Sequence, residues 1–443
     1  MLSMIGLVLG LVLLMYFTLK GVNLFIAAPL CAVFVALTGG LSLFSAEGGA
    51  SFLQGYMDGF SGFIASWFFM FLLGSFFGKL MENTGAADSL AAWVANKLGR
   101  KHAAFAVVAA CAILTYGGVS VFVVAFSVYP MALGLFREAN IPHRFIPATL
   151  AFGSVTFTMT SAGSPEIQNW IPTKYLGTTP LAAWEVSLVV AVVMAAIGFF
   201  WLQYMIKRAQ AKGEVFEFNE EQLANIPKIT EDDLAELPHP ITGLIPIIVV
   251  LISSFTLHSY VQQNALIVAL LAGCLTLGII NFKHIKNLNI ALTNGTTDAL
   301  SAIGNTAAVV GFGTVAKLSP AFAVVVGAVT GMEGNELVGA AIAITTIAGL
   351  TGSASGGQTI ALPELAPHYL ENGVNAEHLH RITSIASGAL DTLPHNGYVV
   401  TTIRVICHET HKTAYWPLAA LTTVIPFFGV ILAIILFSLG MSA

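Results

Sequence analysis

The chain has 443 residues, of which 56% are hydrophobic and only 9% are charged, and its mean hydropathy is +0.82. A water-soluble domain exposes too much surface to tolerate such a composition, so the sequence excludes a soluble protein and predicts an all-α polytopic membrane protein. The formal net charge of −5 says little, because the acidic residues are concentrated in one segment.

Apolar runs near the length of a membrane-crossing helix begin at the N-terminus. The first two cover residues 2–19 and 24–38, and no basic residue precedes the first, so we expect a retained helix rather than a cleaved signal peptide. Later runs cover residues 63–80, 181–204, 241–257 and 414–439. The cysteines stand singly in apolar stretches, which predicts neither disulfides nor a metal site: Cys31, Cys111, Cys274 and Cys407.

A polar, acidic segment at 210–238 separates two apolar blocks, residues 1–209 and 239–443. We interpret the segment as a solvated cytoplasmic linker, with a regulatory segment as the alternative. The blocks align at an offset of about 235 residues, which predicts two structural repeats. The alignment pairs Gly117 with Gly352, Ser120 with Ser355, His143 with His378, and Gly153 with Gly388.

The basic residues predict the orientation, because Lys and Arg are retained on the cytoplasmic side of short loops. One threading leaves only Lys174, Lys317 and Arg381 outside, with about ten crossings, both termini outside and the repeats inverted. This threading places the other basic residues considered inside: Lys20, Arg100, Lys101, Arg137, Arg144, Lys207, Arg208, Lys212, Lys283, Lys286, Arg404 and Lys412.

Each half contains a predicted re-entrant hairpin, at 103–136 and 337–370, whose tip interrupts apolar sequence with Gly, Ser and Thr. Lipid cannot satisfy non-helical backbone, so the tips predict a cavity, with close packing through Gly and Ser as the alternative. Each hairpin precedes a helix broken by polar residues, at 145–179 and 382–407. Half-helix N-termini suit a carboxylate and exposed carbonyls suit a cation, which predicts a four-part mid-membrane site.

The candidate substrate-binding residues lie in the tips and the breaks: Gly117, Gly118, Ser120, Thr160, Ser161, Ser164, Gly352, Ser353, Ser355, Gly356 and Asn396. Three candidates for the coupling ion follow from the rule that ionisable groups inside a membrane are functional by default. Asp391 is read as a proton acceptor, a sodium ligand or a helix cap, His395 as a coupling or a packing residue, and Glu166 as a coupling residue or an outward-facing cap.

Several motifs resemble permeases of the gluconate:proton symporter (GntP) family, and most closely its hydroxybutyrate-like branch. They read Tyr-Gly-Gly-Val-Ser-Val-Phe-Val-Val at 116–124, Leu-Phe-Arg-Glu-Ala-Asn-Ile-Pro at 135–142 and Thr-Phe-Thr-Met-Thr at 156–160. In the second half, residues 352–356 and 393–397 are similar to the family's counterpart loops. The resemblance covers most of the chain.

That resemblance implies membership of the ion-transporter superfamily, with a scaffold domain, a mobile transport domain, a homodimer and an elevator-type motion. Sodium-coupled dicarboxylate carriers of the superfamily have Ser-Asn-Thr at the tips, whereas the tips here read Gly-Gly-Val-Ser and Gly-Ser-Ala-Ser. This departure favours protons.

We therefore predict a proton-coupled symporter of a small hydroxylated monocarboxylate, gluconate-like or 3-hydroxybutyrate-like, in a bacterial inner membrane. A sodium-coupled di- or tricarboxylate carrier is the alternative, and a channel is a third reading. No nucleophile and base stand at matched depth, so an enzyme is not expected. The expected partners are a small organic anion, the lipid bilayer and a second copy of the chain, without nucleic acid or a cofactor beyond the coupling ion.

Overall fold

Helices make up almost all of the regular structure in the computed structural model, which describes residues 2–20, 22–44, 50–98, 102–217, 237–261, 264–330, 332 and 334–442. The predicted linker at 210–238 falls mostly outside the described residues. Within the described ranges the only strand-like pairing is one isolated bridge between Ser42 and Ser51. The all-α expectation therefore agrees with the structure.

The helices of the first half occur in a fixed order. Two helices, a long helix and a short helix are followed by a helix–tip–helix hairpin, a broken helix and a closing helix. Their bounds are Leu2–Leu19, Leu24–Thr38, Phe52–Asn83, Ala86–Leu98, Ala103–Tyr116 with Val121–Glu138, Ile146–Ala151 with Ile171–Leu176, and Trp184–Ala211.

The second half has its helices in the same order. Their bounds are Pro240–Val261, Ala265–Ile280, Leu288–Lys317, Pro320–Thr330, Glu336–Thr351 with Ala354–Glu371, Ala376–Ser387 with Gly397–Val400, and the final helix His411–Ala419 continuing through Ile425–Ser438. The second broken helix begins at Ala376, six residues before the predicted start at 382. Asn375 caps it by accepting hydrogen bonds from the Glu377 and His378 amides, which fixes the earlier start.

Among the residues that the structure describes, four helices are long and apolar enough to cross a membrane: Phe52–Asn83, Trp184–Ala211, Leu288–Lys317 and His411–Ser438. Shorter apolar helices lie before and between them. Large apolar side chains such as Phe200, Ile279 and Trp416 are more than 70% exposed, which is favourable in lipid and unfavourable in water. The chain is therefore a membrane protein.

The long helices Phe52–Asn83 and Leu288–Lys317 pack along each other at the centre of a scaffold body, which also contains the first two helices of each half. The Tyr56 hydroxyl donates to the Ala308 carbonyl at 3.0 Å, and Gly59 leaves room for the Thr314 side chain. The hairpins, the broken helices, Trp184–Ala211 and the final helix pack into a second unit, the site body.

π-helical turns tie the two breaks of the site body together. The final helix has such a turn at Ala420–Val424, and π-helical turns leave carbonyls without their usual helical partners. The Thr156 hydroxyl, at the end of the π-helical segment Phe152–Thr156 that continues the first half-helix, donates to the Leu421 carbonyl at 3.0 Å. The Thr392 hydroxyl, in the second break, donates to the neighbouring Thr422 carbonyl at 3.1 Å. One turn therefore anchors both breaks.

Candidate functional site

A cavity of about 390 Å³ lies between the two hairpin tips, the two breaks and the scaffold helices. Residues from all four predicted parts of the site line it, together with the scaffold helices Phe52–Asn83, Ala265–Ile280 and Leu288–Lys317. The structure brings these predicted site residues into its wall: Gly118, Ser120, Glu166, Gly352, Ser353, Ser355, Asp391 and Asn396.

The first hairpin tip rests on the first break. The Tyr116 hydroxyl donates to the Ala162 carbonyl at 2.5 Å, and Gly118 packs against the Pro165 ring. Gly118 has a φ of +89°, a conformation that favours glycine. Ser120 directly precedes Val121–Glu138, the second helix of the first hairpin. Its side chain makes no capping hydrogen bond, so the hydroxyl does not bond the first turn of that helix.

The second hairpin tip rests on the second break in a comparable way. The Asn396 amide donates to the Gly352 carbonyl at 3.0 Å, and the His395 ring fills the space beside the Gly352 α-carbon. The Ser353 hydroxyl caps Ala354–Glu371, the second helix of the second hairpin, by accepting a hydrogen bond from the Gly356 amide at 3.1 Å. The same hydroxyl lies 3.3 Å from the Ser355 hydroxyl. Each tip is thus positioned by the break of its own half.

Asp391 is 5% exposed, and its Oδ1 atom has no hydrogen-bond partner among the described residues. Asn396, not Asp391, caps the following half-helix, because its Oδ1 accepts from the Val399 amide at 2.9 Å. Asp391 lines the cavity instead. The structure therefore removes the cap interpretation of Asp391.

Glu166 occupies the residue before the short 3₁₀ turn Ile167–Asn169, but its side chain makes no capping hydrogen bond. Its backbone amide donates to the Ser164 hydroxyl at 3.3 Å, and its side chain lines the cavity. The interpretation of Glu166 as an outward-facing cap is wrong, because the break turns the residue inward.

Six predicted site residues lie outside the cavity wall. The Ser161 hydroxyl donates to the Phe157 carbonyl, and Ser164 is fully buried behind Glu166. These hydroxyls satisfy local backbone, which competes with ligand binding. The other four occupy close contacts inside the protein: Gly117 against Ile247, Thr160 whose carbonyl accepts from Arg381, Gly356 against Ser353, and His395 against Gly352.

The threading placed Arg381 on the outer side of the membrane, with an inward reach as the alternative, and the structure shows a fully buried side chain. Its Nη1 atom donates to the Thr160 carbonyl at 2.7 Å and to Asn169 Oδ1 at 3.0 Å. Its Nε and Nη2 atoms donate to the Ala182 carbonyl, and Nη2 also reaches the Pro180 carbonyl at 3.3 Å. A residue of the second half thereby holds the first break in shape. Arg381 directly precedes the predicted broken helix at 382–407, and a cation next to such a break was the available signal.

The cavity wall contains three carboxyl groups, those of Glu166, Asp298 and Asp391, and no Lys or Arg among the described residues. Asp298 lies on the scaffold helix Leu288–Lys317 and was not predicted. The Lys79 ammonium is 3.3 Å from Asp298 and 2.8 Å from Glu82, so scaffold acids already hold this cation. Nor do three or more His, Cys, Asp or Glu residues cluster for a metal ion in the part of the chain described.

Comparisons with known proteins agree with this architecture. Residues 2–266 match the model of the GntP family permeases. The chain is 35% identical to the uncharacterized transporter YxjC of Bacillus subtilis (strain 168), an alignment that covers 95% of this chain and 96% of that protein.

A solved structure, the Alcanivorax borkumensis YdaH transporter, whose topology is described as unusual, matches over 99% of both chains with a TM-score of 0.58. The sequence identity is 14%, so this likeness concerns the fold alone. The family match and the transporter relative together identify a membrane transporter rather than an enzyme. The chain belongs to the GntP family of permeases.

Proposed function

We propose that this permease is a proton-coupled symporter of a small hydroxylated monocarboxylate, gluconate-like or 3-hydroxybutyrate-like. One observation carries the proposal: the wall of the cavity has carboxyl groups, hydroxyls and amides but no described cationic side chain. Two like charges about 6 Å apart repel by about 3 kcal/mol at an effective dielectric constant of 20. A substrate anion therefore needs an accompanying cation to bind beside Asp391 and Glu166.

A proton is the cation that fits this wall best. A protonated carboxyl loses its repulsion and becomes a hydrogen-bond donor to the substrate. The unpartnered Oδ1 atom of Asp391 is available for that proton, and Glu166 is the second candidate. His395 lies outside the wall, although both of its ring nitrogens are buried without a partner among the described residues. It acts on coupling through the tip that it supports.

The remaining wall groups define the substrate. The hydroxyls of Ser120, Ser353 and Ser355 and the amide of Asn396 can bind a carboxylate and a neighbouring hydroxyl. A polyanion would need a guanidinium, which bonds carboxylates in a bidentate fashion. This chemistry supports a small monocarboxylate.

The transport cycle that we propose moves the site body against the scaffold body as an elevator, in a homodimer in a bacterial inner membrane. The repeated order of helices supports two inverted repeats, with the hairpins entering from opposite sides. Both termini would then lie outside and the central linker in the cytoplasm. Distance measurements between labels on the two bodies, with and without substrate, test the motion.

Uptake into proteoliposomes under separately imposed pH and sodium gradients tests the coupling. We expect an inward proton gradient to drive uptake of gluconate or 3-hydroxybutyrate at constant sodium. Asp391→Asn should abolish this accumulation while retaining exchange of labelled substrate, and Glu166→Gln tests the second carboxyl. Asp58→Asn, which removes a carboxyl that does not line the cavity, is the matched control. Undiminished accumulation by Asp391→Asn would refute the role of Asp391.

The second candidate is sodium-coupled transport of a di- or tricarboxylate, because a carboxylate oxygen such as Asp391 Oδ1 is also a hard ligand for sodium. Uptake of citrate that follows a sodium gradient at fixed pH would decide for it. Non-saturating flux without counterflow would instead indicate a channel.

A further inference from the structure

One wall of the cavity belongs to the scaffold helix Leu288–Lys317 and carries a row of polar side chains. We call Asp298, Ser301, Asn305 and Thr306 the polar stripe. Asp298, Ser301 and Asn305 are three, four and seven positions apart, spacings that place side chains on one face of an α-helix, and Thr306 lines the cavity next to Asn305.

The other scaffold walls of the cavity are mostly apolar. Met70 and Phe71 line it from Phe52–Asn83, and Leu266 and Leu270 line it from Ala265–Ile280. A ligand with one polar edge and one apolar edge therefore has a preferred orientation in the cavity. Its polar edge faces the polar stripe, since a buried hydroxyl without a partner is costly.

The members of the polar stripe differ in free bonding capacity. The Thr306 hydroxyl donates to the Ala302 carbonyl at 3.0 Å, and Asp298 is bound by Lys79 at 3.3 Å. The side chains of Ser301 and Asn305 make no hydrogen bond within the described chain. Asn305 is partly buried and offers both a donor and an acceptor, the combination that a hydroxyl group requires.

We propose that the polar stripe binds the hydroxyl groups that lie away from the carboxylate of the substrate, and that Asn305 is its main specificity-determining residue. The inference rests on the proposed function, in which the tips and breaks hold the carboxylate end. Substrate selection is then shared between the site body and the scaffold body. A linear acid with several hydroxyls uses the polar stripe, whereas a short acid with one hydroxyl does not reach it.

Asn305→Leu, which keeps the size of the side chain and removes its polar atoms, tests the inference. The probes are gluconate, which is polyhydroxylated, and 3-hydroxybutyrate, which has one hydroxyl, each measured by uptake in proteoliposomes. We expect the half-saturation constant for gluconate to rise about tenfold and that for 3-hydroxybutyrate to stay within about twofold. Thr297→Val, an exposed position on the same helix outside the cavity wall, should change neither constant.

The possible outcomes separate the two proposals. Equal changes for both acids, or no change for either, overturn the inference, as does a wild-type protein that carries 3-hydroxybutyrate but not gluconate. A wild-type protein that carries neither acid overturns the proposed function itself. If gluconate alone is carried, a tenfold rise with an unchanged melting temperature supports the inference. Ser301→Ala provides a second variant should Asn305→Leu fold poorly.

Discussion

Replacing Arg381 tests whether the second half holds the first break in shape. The guanidinium donates five hydrogen bonds to four oxygen atoms and is fully buried. A lysine has three N–H donors on a single nitrogen, so Arg381→Lys keeps the charge but leaves at least two of these bonds unmade. Each hydrogen bond to a charged group contributes about 1.5–3 kcal/mol, so the expected loss is about 3–6 kcal/mol.

Arg381→Met should be worse, because four buried oxygen atoms then lose the donors of this side chain. The cost approaches the whole stability of an ordinary domain, which is about 5–15 kcal/mol. Thermal melting of the detergent-solubilised protein, followed by size-exclusion chromatography, measures both variants. We expect Arg381→Lys to melt several degrees below the wild type and Arg381→Met to yield little monodisperse protein.

Arg404→Lys is the matched control, because Arg404 is exposed and its Nε atom donates to His411 at 3.3 Å. Exposed polar contacts contribute about 0–1 kcal/mol, so this variant should melt close to the wild type. An Arg381→Lys protein as stable as the wild type would refute the reasoning. So would an equal loss of stability in Arg404→Lys, since burial would then not be the cause.

Two further changes have opposite expected effects. Gly352→Ala should lower the melting temperature more than Gly373→Ala. Both glycines have a positive φ, but only at position 352 would the new Cβ atom lie 2.5 Å from a neighbouring side chain, the His395 ring. Equal losses of melting temperature in the two variants would contradict this reasoning. Burial raises the pKa of the Asp88 carboxyl to about 6; the charge of Glu82 adds to this shift and the charge of Lys286 opposes it. The folded state therefore loses stability as the pH rises through that value, because the buried carboxyl must then ionise. The free energy of unfolding of Asp88→Asn should therefore exceed that of the wild type by on the order of 1 kcal/mol at pH 7.5 and be equal to it at pH 4. A gain at both pH values would exclude titration of Asp88 as the cause.

Local signals in the sequence located the segments of the site. The predicted hairpins at 103–136 and 337–370 compare with helix pairs that run from Ala103 to Glu138 and from Glu336 to Glu371. Glycine and serine interrupt apolar runs at the tips, and a helix ends where its backbone can leave the helical conformation. The start of the second broken helix was placed too late because hydropathy is insensitive to the Asn375 cap.

The charges and isolated polar residues in the sequence did not predict where these side chains lie in the folded protein. Arg381 was placed outside by a rule about which side of the membrane a cation occupies, and that rule does not report depth or burial. Asp298 and Asn305 gave no signal either, because they lie within a long helix without a break. Their exposure to the cavity depends on helices from the other half of the chain.

The sequence by itself determined the membrane class, the family motifs, and the polar tips and breaks, since these follow from composition and local backbone preferences. Only the tertiary structure decided which polar groups line the cavity. Ser353 and Ser355 do so, whereas the Ser161 hydroxyl is used by the Phe157 carbonyl. A hydroxyl group can bond its own backbone or a ligand with equal ease, and the packing of distant helices determines which partner it meets.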